Sequence, residues 1–160
     1  GANASLLLNI PPDTHGRIAA ADCASLAELG AKIQQIFASN VTEKAEITAD
    51  SAIAQHPITQ AVDGMANTYW QAAYGQESDT ITLNFPKPQK VSCVVLGEHL
   101  PTGQRIESGE IWADGSKASE FTVVGHKRIC RFTPVDVQTL TIKITASRTE
   151  PTLRLLEVYQ

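Results

Sequence analysis

The chain has 160 residues, of which 42 % are hydrophobic and 19 % are charged, and its formal net charge is −4. This composition is typical of a folded globular protein and excludes a disordered or fibrous one. The longest basic run is the pair Lys127-Arg128, which argues against a nucleic-acid partner, and the apolar runs are too short to cross a bilayer.

The N-terminal residues lack the basic segment and long apolar segment of a secretory signal. We therefore expect a piece cut from a longer polypeptide. Residues 5–10 form a continuous apolar run, which is typical of a strand buried on both faces, and Pro11-Pro12 ends it.

Residues 17–37 carry apolar side chains at helical spacing, which predicts an amphipathic helix capped by Asp22 or Asp13. A strand, a short loop and a helix make half of a repeated β/α unit. Such a unit cannot bury its own strand, so the first 40 residues point to a larger parent protein.

The three cysteines, Cys23, Cys93 and Cys130, are odd in number and widely spaced, which argues against a disulfide framework and a zinc site. Cys93 lies in an apolar run and is predicted to be a small buried hydrophobic residue.

After residue 40 the pattern changes to short segments of alternating apolar and polar residues, which predicts an antiparallel β-sandwich or barrel. Asp114-Gly115 is a strong hairpin signal. The proline residues are expected between strands. The predicted strands are residues 80–85, 91–96, 106–113, 120–124, 129–132, 139–146 and 154–159.

Residues 41–160 resemble the discoidin family, also called the coagulation factor 5/8 type C domain, whose relatives include family 32 carbohydrate-binding modules. The match rests on residues 60–70, which read QAVDGMANTYW, on the strand pair 80–85 and 91–96, on residues 105–115, and on the closing LLEV of residues 155–158. The resemblance implies a discoidin-like jelly-roll sandwich.

Residues 1–40 resemble the end of a family 29 glycoside hydrolase, a bacterial α-L-fucosidase. The motif is LLLNIPPD at residues 6–13 followed by GRI at residues 16–18. In that family the motif is the last strand of the catalytic (β/α) barrel and the loop to its last helix. The resemblance implies a secreted or periplasmic parent that cleaves fucose from glycans by a retaining mechanism.

A retaining glycosidase uses two carboxyl groups about 5–5.5 Å apart. In the resembled family both lie upstream of the motif, so we expect no catalytic residue and no hydrolase activity in this chain. The upstream barrel is then the partner of the sandwich.

The resemblance to family 32 modules also implies a calcium site. Calcium prefers six to eight hard oxygen ligands. Asp63 and Glu157 would supply carboxylates, Thr68 a hydroxyl and a carbonyl, and Gln60 and Met65 carbonyls. The alternative is that Asp63 caps its own turn by accepting backbone N–H groups.

A sugar site needs an aromatic face and a few fixed polar groups. The loop residues that offer them are Tyr74, His99, Arg105 and Arg148. Trp70 is expected in the core, and Trp112 in the core or at a contact between domains.

Three functions stay open: a structural accessory domain of a fucosidase, a module that targets the enzyme to galactose- or fucose-containing glycans, and a free-standing adhesion or interaction domain. The barrel-end motif at residues 6–18 disfavours the third. For the first, His99 and Arg105 would face the barrel. The apolar side chains of the first 40 residues favour association, so we expect them to fold back on the sandwich or to form a homodimer.

Overall fold

The structure is a computed structural model that describes residues 6–160. One helix, α1, spans Ala20–Ile36. Within the described residues no helix has the length and hydropathy needed to cross a membrane. The strands are β1 Glu46–Ala49, β2 Trp70–Gln71, β3 Asp79–Gly97, β4 Ile106–Ala113, β5 Ser116–Phe121, β6 Arg128–Ser147, β7 Thr152–Leu153 and β8 Leu155–Tyr159.

The strands form an antiparallel sandwich, as predicted. The order is β1-β3-β6-β4-β5, with β8 on the other half of β3 and a small β2–β7 pair. The long strands β3 and β6 take part in both layers. Their residues 79–84 and 139–147 form a wide layer with β1, β4 and β5, and their residues 91–97 and 128–135 form a narrow layer with β8.

The long strands correct the prediction of separate short ones. Residues 80–85 and 91–96 belong to one strand, as do 129–132 and 139–146. The ladder is irregular between Asn84 and Gln89, where Pro86 and Pro88 lie, and again beside Pro134. A proline has no N–H to donate, so it is tolerated where the pairing is already interrupted.

The hairpin at Asp114-Gly115 is confirmed. Both residues have positive φ, 44° and 80°, and they join β4 to β5 between the paired residues Ala113 and Ser116. A two-residue turn of this type follows the twist of the strands it connects. The predicted strand 120–124 is shifted, because β5 is Ser116–Phe121.

The core lies between the layers and is built from alternate residues of the strands. Trp70 is fully buried, as predicted, and its Nε1 donates to the carbonyl of Ser51 at 3.0 Å. Cys93 is buried and, like Cys23 and Cys130, is a free thiol. Trp112 is not in the core: it is half-buried on the outer side of β4, while its neighbours Ile111 and Ala113 point inward.

The strand predicted at residues 5–10 is absent from its described part, residues 6–10, and residue 5 lies outside the described range. Leu6 and Leu7 are 84 % and 94 % exposed. The physical reason is that a strand of this kind needs neighbouring strands on both sides, and the following residues form a helix instead.

The helix prediction is correct, but its capping prediction is wrong. The N-cap is Ala19, without a side-chain hydrogen bond. The Asp13 carboxylate instead accepts the N–H groups of His15 and Arg17 and closes the turn that precedes the helix. Asp22 lies in the first helical turn, where a negative charge is favourable.

Only the C-terminal end of α1 reaches the sandwich. Ile36 and Phe37 pack on the outer side of the narrow layer against Cys93, Val95 and Tyr159, and the rings of Phe37 and Tyr159 meet edge to face at 5.1 Å. No residue of α1 is fully buried. The predicted folding back on the sandwich is therefore confirmed for this end alone.

Candidate functional site

Three loops meet at one end of the sandwich: residues 72–78, 98–105 and 148–151. Backbone hydrogen bonds join them, from Arg148 N to the Arg105 carbonyl at 2.9 Å and from Ala72 N to the Pro151 carbonyl at 3.1 Å. Tyr74, His99, Arg105 and Arg148 all lie on these loops. The structure thus brings the predicted sugar-binding residues to one end of the molecule.

Glu150 is the central link between the loops. Its carboxylate accepts Gly75 N at 2.9 Å and the Thr149 hydroxyl at 2.5 Å, and its carbonyl accepts Nη1 of Arg105 at 2.8 Å. These hydrogen bonds to the charged form, from Gly75 first and Thr149 second, lower the pKa of Glu150 to about 2. The loop that carries Tyr74 is therefore tied to Arg105.

The four predicted side chains have different surroundings. Tyr74 is 76 % exposed. Arg148 is engaged in an ion pair, with Nε 2.8 Å from Oε1 of Glu107. Nε of Arg105 and Nδ1 of His99 are buried without a hydrogen-bond partner in the described part of the chain. Tyr74 is thus the open member of the set, and the other three are held by the fold.

A stack of three rings lies next to these loops. Tyr69 is sandwiched between His56 and His99, with centroid distances of 3.9 Å and 3.8 Å and interplanar angles of 21° and 10°. Burial lowers the pKa of His99, and the nearby charges of His56, Arg105 and Arg154 lower it further. The stack joins three segments that are distant in the sequence, which is why sequence reasoning missed His56 and Tyr69.

Glu98 holds the loop from beneath and was also missed. It is fully buried, and its carboxylate accepts the N–H groups of Arg105 at 2.7 Å, Ile106 at 2.8 Å and Gly125 at 2.5 Å. A buried carboxylate is tolerated when hydrogen bonds satisfy its oxygens. The Gly97-Glu98 pair at the end of a strand gave no sequence signal for this role.

The residues of the predicted calcium site do not all share one environment. Asp63 accepts Met65 N at 2.8 Å and the Thr68 hydroxyl at 2.7 Å, as expected for a capped turn. The Gln60 amide contacts His56. Glu157 lies on the same side of β8 as Leu155 and Tyr159, and this is the side that Phe37 covers.

Metal binding therefore stays a prediction for this turn. Among residues 6–160, no three His, Cys, Asp or Glu side chains are grouped as metal ligands. Asp63 and Thr68 are in direct contact, and the carbonyl of Met65 lies 3.3 Å from the Thr68 hydroxyl. These groups alone supply fewer oxygens than calcium prefers.

Residues 40–154 match the family model described as "Domain of unknown function (DUF7402)". The chain belongs to the DUF7402 family. The matched region begins between α1 and β1 and ends between β7 and β8, so it contains the whole loop end described above.

Similarity to fucosidases extends beyond the DUF7402 region. Alpha-L-fucosidase 1 of Arabidopsis thaliana is 28 % identical and is matched over 99 % of this chain and 34 % of its own length. A GH29 fucosidase of Ruminococcus gnavus, solved in complex with fucose, has a TM-score of 0.88 and 26 % identity over 100 % of this chain and 34 % of that one. The resemblance to family 29 fucosidases is thus confirmed, and the chain spans about a third of the length of the relatives it matches.

A third similarity concerns the fold alone. Chitosan-binding module 1 of a Paenibacillus sp. IK-5 chitosanase/glucanase has a TM-score of 0.67 and 22 % identity, over 76 % of this chain and 99 % of the module. The matched 76 % of the chain therefore shares its fold with this chitosan-binding module.

Proposed function

We propose that this chain is the non-catalytic C-terminal part of an α-L-fucosidase acting on fucosylated glycans, and that its sandwich is a structural accessory domain of a catalytic barrel. The fraction of the chain that each relative matches supports the proposal. Fucosidases match 99–100 % of the chain, including the helix and the segment before it, whereas the separate chitosan-binding module matches 76 %. The N-terminal segment is thus part of the match to the fucosidases.

The surface of this N-terminal segment supports the proposal. Leu6 and Leu7 are almost fully exposed, and Leu29 and Ile33 on α1 are 46 % and 49 % exposed. Burying one such side chain completely stabilises a protein by roughly 1.5–3 kcal/mol. A barrel that completes its sheet with residues 6–10 and covers α1 would bury all of them.

The test uses the longer polypeptide that contains the barrel, assayed with an aryl α-L-fucoside. We expect Leu7→Asp to lower both the yield of folded enzyme and its thermal midpoint, because a charge would enter the interface. The matched control is Met65→Asp, the same kind of change at a side chain that is 62 % exposed on the sandwich, and it should leave both unchanged. The proposal is wrong if Leu7→Asp behaves like Met65→Asp, or if this chain alone hydrolyses the substrate.

A second candidate function is glycan targeting, and the exposed Tyr74 favours it. Its ring lies beside the loops that Glu150 and Arg105 hold together, where a pyranose can stack on the ring and reach polar groups. In a glycan array, specific binding to fucosylated or galactosylated glycans that is lost in Tyr74→Ala would support this function. Binding that survives Tyr74→Ala, or no binding, would contradict it.

Calcium at Asp63 and Thr68 is a separate proposal with its own readout. A ligand that binds only the folded state raises the thermal midpoint. Calcium should therefore raise the midpoint of the unaltered chain relative to a chelator, and it should have no effect on Asp63→Ala. Equal midpoints of the unaltered chain with calcium and with chelator would leave Asp63 as a turn cap only.

A further inference from the structure

The outer side of the wide layer, opposite to the core, is a polar face with one aromatic residue. Neighbouring strands place Thr82, Thr141, Trp112 and Lys117 side by side in one row. The adjacent row of the same surface is formed by Thr80, Lys143, Glu110 and Glu120. We call these two rows together the open face.

Trp112 is held in a fixed position on the open face. Its Nε1 donates to Oε2 of Glu110 at 2.8 Å, and Nζ of Lys143 lies 4.3 Å from the ring centroid. Lys117 joins Glu110 and Glu120 through ion pairs of 3.0 Å and 2.8 Å. A tryptophan so oriented has lost its rotational freedom before any ligand arrives.

The charges of the open face balance. Its two glutamates are matched by its two lysines, and the rest of both rows consists of threonines and the indole. Such a surface does not attract a strongly charged polymer, but it offers hydroxyl, carboxylate and ammonium groups that bond to sugar hydroxyls. It also offers an aromatic ring against which the apolar side of a pyranose can pack.

A cavity of about 520 Å³ lies at the edge of this face. Lys143, Thr80 and Thr145 line it, together with Asp79. Asp79 is 7 % exposed, and its Oδ1 has no hydrogen-bond partner in the described residues. Since Lys143 both lines the cavity and covers the indole, the two features are neighbours.

We infer that the open face binds a neutral polysaccharide chain, with one pyranose stacked on Trp112 and a neighbouring sugar in the cavity beside Lys143. Among the described residues no salt bridge restrains Lys143, so its ammonium group can move from the ring and donate to a sugar hydroxyl. The cavity is also lined by Gln76 and Ser78, which belong to the loop that carries Tyr74, whereas Trp112 and both rows of the open face lie on β3, β4, β5 and β6. The inference does not depend on the proposed fucosidase function.

The test is affinity electrophoresis of the whole chain in gels containing a β-1,4-mannan, a mixed-linkage β-glucan or a β-1,4-galactan, with polygalacturonate as the anionic probe. We expect at least one neutral polymer to retard the chain. Trp112→Ala should weaken that association about tenfold, because the stacking surface is lost. The control is Lys87→Ala, at an exposed residue outside the open face, and it should leave the association unchanged.

A second variant protects the test against misfolding of Trp112→Ala. Thr82→Arg places a bulky side chain on the open face without touching the core, and it should also abolish retardation while keeping the thermal midpoint. The inference is overturned if no neutral polymer retards the chain, if polygalacturonate alone does, or if retardation depends on Tyr74 and survives Thr82→Arg. Retardation that depends on Tyr74 and survives Thr82→Arg would assign glycan binding to the loops. No retardation by any neutral polymer would indicate that Trp112 serves a contact between domains.

Discussion

At the scale of single residues, Glu98 is the side chain on which the loop end most depends. Its buried carboxylate satisfies three backbone N–H groups, of Arg105, Ile106 and Gly125. Removing it leaves those donors without acceptors, and each buried donor left unsatisfied costs about 1–3 kcal/mol. We expect Glu98→Ala to lower the free energy of unfolding by about 3 kcal/mol or more.

Denaturant unfolding followed by tryptophan fluorescence measures this change. Glu107→Ala is the control, since Glu107 is an exposed carboxylate in the same segment whose one ion pair among residues 6–160 is with Arg148, and surface pairs contribute about 0–1 kcal/mol. If the two variants lose similar stability, the three backbone contacts of Glu98 do not hold the loop as described.

His99 makes the loop end sensitive to acid. Folding lowers its pKa below the ordinary value, through burial and the charges of His56, Arg105 and Arg154. The unfolded chain therefore binds the proton more tightly, so stability is complete above the unfolded pKa of about 6.5 and is lost as pH falls toward the folded value.

The measurement is the free energy of unfolding at one pH unit above and one below about 6.5, compared between the unaltered chain and His99→Phe. Phenylalanine keeps a flat ring against Tyr69 but cannot be protonated. We expect the unaltered chain to lose more stability on acidification than the variant. Equal losses would show that the stack contributes nothing to the acid sensitivity.

At the scale of elements, two glycines give opposite predictions for the same substitution. Gly115 has a φ of 80° in the β4–β5 turn, whereas Gly30 lies within α1 with open space around its Cα. Alanine is strained at positive φ, and in a helix it is favoured over glycine by up to about 1 kcal/mol.

We therefore expect Gly115→Ala to lower the thermal midpoint of the sandwich and Gly30→Ala to raise the helical content measured by far-ultraviolet circular dichroism. Neither change meets a nearby atom, so packing does not obscure the backbone effect. A neutral Gly115→Ala would mean that the turn relaxes to another type at no cost.

The elements that the sequence predicted correctly are those with local causes. The Asp114-Gly115 turn and the spacing of α1 are encoded within a few residues, and both are present. The strand predicted at residues 5–10 depends on neighbouring strands outside these residues, so this prediction was wrong for the described residues 6–10. The sequence predicts two short strands in place of each of β3 and β6, because proline is expected between strands. In the sandwich these prolines lie at irregular points of continuous strands.

The candidate site was predictable only in part for the same reason. Tyr74, His99, Arg105 and Arg148 were predicted because loop residues of these types suggest sugar binding, and that role stays a prediction. The stack of His56, Tyr69 and His99, and the support from Glu98 and Glu150, arise from contacts between distant segments. One sequence without its fold gives no periodic signal for such contacts.

At the scale of the whole molecule, the sandwich is well packed and the N-terminal segment is not. The core between the layers is continuous, from Val41 to Val158. The helix α1 and the residues before it reach the sandwich through Ile36 and Phe37, on the outer side of the narrow layer, and leave leucines exposed. Removing residues 1–35 should therefore leave a folded sandwich, with most of its β-sheet circular dichroism and a cooperative thermal transition.

The exposed apolar side chains of this segment predict self-association of the isolated chain. A cleft of 190 Å³ between residues 8–11 and α1, lined by Leu8, Ile10, Leu26 and Leu29, offers a second copy an apolar surface. Contiguous exposed apolar surface of this kind favours association.

Sedimentation velocity should show a monomer–dimer equilibrium that shifts with concentration, and Leu29→Asp should displace it toward monomer. Met65→Asp, on the sandwich, should not. A chain that remains monomeric at every concentration would show that the leucines are covered within one molecule, and that the end of α1 closes more tightly on the narrow layer than Ile36 and Phe37 alone indicate.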